Sequence, residues 1–142
     1  MSGLRAFWAS TIGKKVVMAV TGLLLVMFLI GHMLGNLQMF VGAEAMNRYA
    51  ALLKSTGELL WVARAGLLLA AVLHIISAVQ LTMINRAARP TDYAKREPAV
   101  STIASRTMRL GGVLLAAFIV FHLGHFTVGT FHPAFSHTGV YG

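Results

Sequence analysis

The stretch VVMAVTGLLLVMFLIGHMLGNLQMFVGA, Val16–Ala43, contains no Lys, Arg, Asp or Glu. About 20 residues at 1.5 Å rise cross a bilayer core, so this run alone predicts a membrane-spanning helix. It is too long for the apolar core of a cleavable signal peptide, and no small-residue cleavage site follows it. Two further runs share its character, Ala65–Asn85 and Leu110 to the C-terminus. The predicted fold class is therefore all-α, an integral membrane bundle with three transmembrane helices at about 14–39, 58–85 and 106–131.

Composition agrees. Of 142 residues, 57% are apolar and only 11% charged, with a mean hydropathy of +0.74; a water-soluble domain of this length would carry far more charge. The whole chain, 1–142, reads as a single membrane-anchor domain. The net charge of +8 is unevenly spread. Arg5, Lys14 and Lys15 precede the first span, and Arg86, Arg89, Lys95, Arg96, Arg106 and Arg109 fill or border the loop at 86–105. The loop after the first span holds only Arg48 and Lys54, and the tail none. By the positive-inside rule the N-terminus and the 86–105 loop are cytoplasmic, and the first loop and C-terminus external. This charge suits anionic lipid or a cytoplasmic partner and not nucleic acid. Cysteine is absent, which excludes thiolate-held iron–sulfur clusters, covalently attached c-type haem and disulfides.

Smaller features complete the outline. Residues 3–12, with Leu4, Phe7 and Trp8, suit a short interfacial segment. Met46, Tyr49, Ala50 and Leu53 recur at helical spacing, predicting an amphipathic helix on the outer surface that Gly57 ends. Pro90 and Pro98 mark 86–105 as a loop, and Pro133 ends the third span.

The chemistry lies in the histidines. His32, His74 and the pair His122/His125 fall within the three uncharged runs. Intramembrane imidazoles are kept where both nitrogens have partners, and haem iron is one such partner. Measured along the helices, His32 lies about 26 Å from Lys15, His74 about 18 Å from Arg86, and His122 and His125 about 20 and 24 Å from Arg109. His32 thus belongs to the outer half and His74 nearer the inner half, too far apart to share an iron, which implies two haems at different depths. Gly31, Gly35, Gly66 and Gly124 leave room for a porphyrin beside the helices, although Gly31/Gly35 is also a helix-packing motif. Simpler readings stand beside these. A single histidine can bond a neighbouring carbonyl, the HxxH spacing of His122/His125 can bind a transition metal, and the methionines suit helix packing. His132 and His137 read as solvated. Arg64, one to two turns inside its helix, can snorkel to water or pair with a haem propionate.

Several segments resemble the cytochrome b subunit of bacterial succinate dehydrogenase and fumarate reductase, of the single-subunit di-haem type. They are Ser10-Thr-Ile-Gly-Lys-Lys-Val-Val-Met-Ala-Val-Thr-Gly22, Leu29-Ile-Gly-His-Met-Leu-Gly-Asn36, Leu73-His-Ile-Ile-Ser-Ala-Val-Gln80, Ser105-Arg-Thr-Met-Arg109 and Phe121-His-Leu-Gly-His-Phe-Thr127. The resemblance implies a five-helix anchor in the bacterial cytoplasmic membrane that binds two haem b groups. Such an anchor holds the FAD flavoprotein and iron–sulfur subunits on the cytoplasmic face and passes electrons to membrane quinone. The chain would then be a non-catalytic electron-transfer subunit. The outer haem maps to His32 and His122, with His125 the alternative to His122; the inner haem maps to His74 and a histidine on a last helix that these 142 residues do not include, the expectation being either a fragment or a remainder encoded separately. Spacing alone also permits His74 with His122 and His32 with His125. Ser77 and Gln80 are candidate quinone contacts. The competing readings are a cytochrome b subunit of another respiratory complex, such as a hydrogenase or formate dehydrogenase, and a non-redox membrane scaffold.

Overall fold

A computed structural model describes residues 3–88, 91 and 101–131. Six α-helices occur among them: α1 (Gly3–Ala9), α2 (Thr11–Asn36), α3 (Gln38–Val41), α4 (Ala43–Ser55), α5 (Glu58–Ala87) and α6 (Ile103–His122). A π-helical turn, Leu123–Val128, continues α6. No strand occurs among the described residues. Thr11–Val41, Glu58–Ala87 and Ile103–Val128 are each long and apolar enough to cross a membrane, as the uncharged runs predict. The chain divides into two compact units, one built from α1–α5 and the other from α6 and its π turn.

In the first unit α2 and α5 form an antiparallel hairpin. Lys14 of α2 shares a groove with Gln80, Met83 and Ile84 of α5, and Thr21 meets His74 one to two turns further along. The contact seam is narrow. On α2 it is marked by buried Lys14 and Thr21 with half-buried Met18, Gly22 and Leu25; on α5 by buried Ala70, Ser77 and Leu81 with half-buried Leu67 and His74. Steps of three and four residues along both helices give the interlocking typical of shallow-angle packing. Small residues in the seam let the backbones approach, which is what holds helices together when lipid removes the hydrophobic drive between them.

Outside the seam the surface is apolar. Leu23, Leu24, Met27 and Leu29 of α2 and Leu68, Leu69, Val72 and Val79 of α5 are all exposed, while Ala70 and Leu81 are the only buried apolar side chains among the described residues. A surface of this kind is stable against hydrocarbon and not against water. The protein is a helical membrane protein.

The N-terminal elbow shows how short-range chemistry positions α2. Ser10 caps it, its Oγ accepting from Gly13 N at 2.9 Å and donating to Phe7 O at 2.8 Å. A Cβ on Gly13 would collide with the Phe7 carbonyl, so the close return of α1 onto α2 requires glycine. Lys14 then turns back, its Nζ donating to Trp8 O at 2.7 Å and Ala9 O at 3.1 Å. Those are the carbonyls that the end of α1 leaves unpaired.

The predicted boundaries shift in all three spans. The first span starts at Thr11 because Ser10 supplies its cap, and it breaks at Leu37 before the single turn of α3. The second starts at Glu58 as expected, behind Gly57 at φ +55°, and runs two residues longer than expected to Ala87. The third begins earlier, at Ile103, because Thr102 Oγ1 accepts from Ser105 N at 3.2 Å, and its last turn is π rather than α. The amphipathic helix of the first loop is α4, with Met46, Tyr49 and Ala50 half-buried. Most of the 86–105 loop, and His132 and His137, lie outside the described residues.

Candidate haem-ligating histidines

His74 is the best-defined of the candidate ligands. Its Nδ1 lies 3.0 Å from Met18 O and 3.3 Å from Thr21 Oγ1, both on α2. A carbonyl only accepts, so Nδ1 carries the hydrogen, and in the neutral ring Nε2 is left with a lone pair. Thr21 Oγ1 itself donates to Val17 O at 2.6 Å, which leaves its oxygen as a second acceptor for the imidazole. The ring also fills a notch made by Gly22, where a Cβ would stand 3.0 Å from His74 Cε1. Fixing Nδ1–H on a carbonyl is how proteins orient an imidazole whose other nitrogen binds metal.

His32 is half-buried on α2, with its ring stacked on Phe28 at 5.2 Å between centroids. Asn36, one turn on, donates to His32 O at 2.7 Å and brings its Nδ2 to 3.4 Å from His32 Nδ1. The two histidines do not come together. His32 lies eleven residues beyond Thr21 on the same helix, about 17 Å along the axis, so no single iron can take both.

In the second unit His122 is the last residue of α6 and His125 lies in the π turn. Phe118 and Phe126 flank His122 at 5.6 and 5.1 Å; Phe121 and Phe126 flank His125 at 5.6 and 4.5 Å. Phe126 therefore touches both rings. The wide turn adds residues per revolution, which swings His125 further from the face of His122 than α-helical spacing would. The turn closes with Gly129 in the left-handed region at φ +78°, its N–H reaching Gly124 O. Gly124 faces Phe131, whose ring would stand 2.5 Å from an added Cβ. Among the described residues no three His, Cys, Asp or Glu side chains gather as a metal-binding group.

Arg64 is exposed, its guanidinium 4.9 Å above the Trp61 ring. The antiparallel register that sets Thr21 beside His74 brings Ala63 and Arg64 level with His32. Ser77 Oγ is fully buried in the seam and Gln80 Oε1 is buried near the elbow, and neither has a hydrogen-bond partner. The glycines divide by use. Gly31 and Gly66 face open space, whereas Gly35 receives the Tyr49 ring of α4.

Sequence reading alone missed Met18, Thr21 and Gly22 as the seat of His74. A threonine beside a glycine in an apolar run is the trace they leave, but it acquires meaning only with the register of α5. In sequence Lys14 is one of the basic residues before the first span, and nothing there signals its role in capping α1. Comparison with family models, curated proteins and solved structures found no match to this chain.

Proposed function

We propose that the chain is a haem b-binding membrane anchor of a succinate:quinone oxidoreductase, passing electrons between cytoplasmic flavoprotein and iron–sulfur subunits and membrane quinone. The observation that carries the reading is the seat of His74, whose Nδ1 is committed to Met18 and Thr21 so that Nε2 keeps its lone pair. His32, His122 and His125 add half-buried imidazoles on the other two apolar spans. A haem b held by two imidazoles supplies one-electron transfer and has no open position for substrate.

The residues divide the work. His74 would serve the inner haem, and His32 with His122 the outer, His125 being the alternative to His122. The roughly 17 Å along α2 between the levels of His32 and His74 is too long for one iron to take both and suits two cofactors. Arg64, level with His32 and stacked on Trp61, presents guanidinium edges for a propionate of the outer haem. In the same reading the N-terminus faces the cytoplasm of a bacterium, and quinone is the electron acceptor.

One observation also favours the non-redox scaffold: the bonds of His74 Nδ1 to a carbonyl and a hydroxyl tie α5 to α2 without any need of iron. A reduced-minus-oxidised visible spectrum of membranes expressing the chain separates the two. A b-type alpha band that His32→Ala or His122→Ala diminishes, and that His125→Ala leaves alone, is the expected result. Absence of the band in wild-type membranes would overturn the haem reading. Co-purification of a FAD-bearing partner tests the assignment to succinate chemistry over another respiratory complex.

A further inference from the structure

The elbow between α1 and α2 carries a feature that the haem reading does not use. A groove of about 330 Å³ lies between it and the end of α5, lined by Trp8, Lys14, Gln80, Met83 and Ile84. Lys14 is only 8% exposed. Its ammonium has three donors, and two go to Trp8 O and Ala9 O, leaving the third uncommitted. Those carbonyls provide a partial negative charge at most, because a helix terminus is worth about half a unit. Among the described residues no carboxylate balances the rest. The acidic residues among those described, Glu44 and Glu58, begin α4 and α5 at the far end of the hairpin. On the other wall Gln80 Oε1 is buried and accepts nothing.

A buried cation with no counter-ion among the described residues, beside an unfilled acceptor and two long apolar side chains at the end of a spanning helix, asks for a particular ligand. It must bring an anion, a hydroxyl donor and a hydrocarbon tail together. We propose that this groove binds the headgroup of an anionic phospholipid, with the phosphate on Lys14, a headgroup hydroxyl donating to Gln80 Oε1 and the acyl chains running past Met83 and Ile84. Basic pockets at the ends of membrane helices hold acidic lipids on the same grounds, and the indole of Trp8 suits the headgroup level. A neutral ligand would fill the acceptor and leave the charge unbalanced. The inference needs only that α2 and α5 span a membrane, and it stands apart from the haem assignment.

The test titrates the full chain, in nonionic detergent, with phosphatidylglycerol or phosphatidylcholine of identical acyl chains, counting bound lipid by native mass spectrometry. One phosphatidylglycerol should bind about tenfold more tightly than phosphatidylcholine, the scale of one charge-assisted hydrogen bond. Lys14→Gln should remove the preference, while Lys15→Gln, at the exposed neighbour, should keep it. Because Lys14 also ties down α1, Gln80→Leu is the second variant. It leaves the elbow bonds intact and should weaken phosphatidylglycerol by about threefold without changing phosphatidylcholine. Equal affinity for the two lipids, or loss of the preference in Lys15→Gln, overturns the proposal. So does saturation by glycerol 3-phosphate at the lipid's own concentration, which marks a soluble-phosphate site, or displacement of the lipid by a short-tailed quinone.

Discussion

A histidine in hydrocarbon has two nitrogens to satisfy, and His74 shows how little of that is visible from its own neighbours in sequence. Its partners, Met18 O and Thr21 Oγ1, are more than fifty positions away. The ring fits because Gly22 leaves space for it. Gly22→Val should push the ring off its seat, lowering stability by about 1–3 kcal/mol and removing any spectral signal that depends on His74. Thermal unfolding in detergent and the difference spectrum read the two effects separately. Thr21→Val is the milder probe. The Met18 carbonyl still holds Nδ1, so on the haem reading the alpha band stays while the midpoint potential of one haem rises, because the imidazole loses an acceptor that enriches it in electrons. A band and a potential both indifferent to Thr21→Val would count against His74 as a ligand.

At the scale of elements, what could be read from sequence was whatever depends on charge and hydropathy. The three spans, the amphipathic α4 and the break at Gly57 follow from runs and periods within a few residues of one another. What could not be read depends on partners distant in sequence or on backbone geometry. Leu37 carries no breaking signal, yet α2 ends there, and nothing in Leu123–Val128 announces a π turn in place of an α turn. The paired glycines make the same point. Gly31/Gly35 has the spacing of a packing motif, but Gly35 admits Tyr49 from α4 and Gly31 faces open space. Gly35→Leu should therefore detach α4 and destabilise the hairpin measurably, whereas Gly31→Ala should leave the melting temperature unchanged or slightly raised, alanine being the better helix former by about 1 kcal/mol. Equal losses in both variants would mean that Gly31 has a partner as well. At the elbow, Ser10→Ala should cost about 1 kcal/mol through its lost cap. Gly13→Ala should cost more, since its methyl collides with the Phe7 carbonyl and forces α1 away.

For the whole molecule the antiparallel hairpin fixes which features share a depth. Lys14 lies level with Gln80–Ile84, Thr21 with His74, and His32 with Arg64. Rough depths counted from Lys15 and Arg86 put the His74 level wrong by more than a turn relative to α2, because Arg86 projects beyond Lys14 instead of standing beside it. The order of the histidines survives that error, since it depends on separation along α2 alone. The absence of cysteine makes a clean test of orientation possible. Single cysteines at Arg5, Lys54 and Lys95 sample the segment before the first span, α4 and the 86–105 loop. A membrane-impermeant maleimide applied to intact cells should label Lys54→Cys alone, and permeabilisation should expose Arg5→Cys and Lys95→Cys. The charge asymmetry demands this outcome, because basic residues crowd the two segments expected to stay in the cytoplasm. Labelling of Arg5→Cys and Lys95→Cys in intact cells, with Lys54→Cys protected, would reverse the orientation and move His32 to the cytoplasmic side of His74. Labelling of Lys54→Cys and Lys95→Cys from the same side would mean that α5 does not cross at all, and the two-depth arrangement of His32 and His74 would lose its basis.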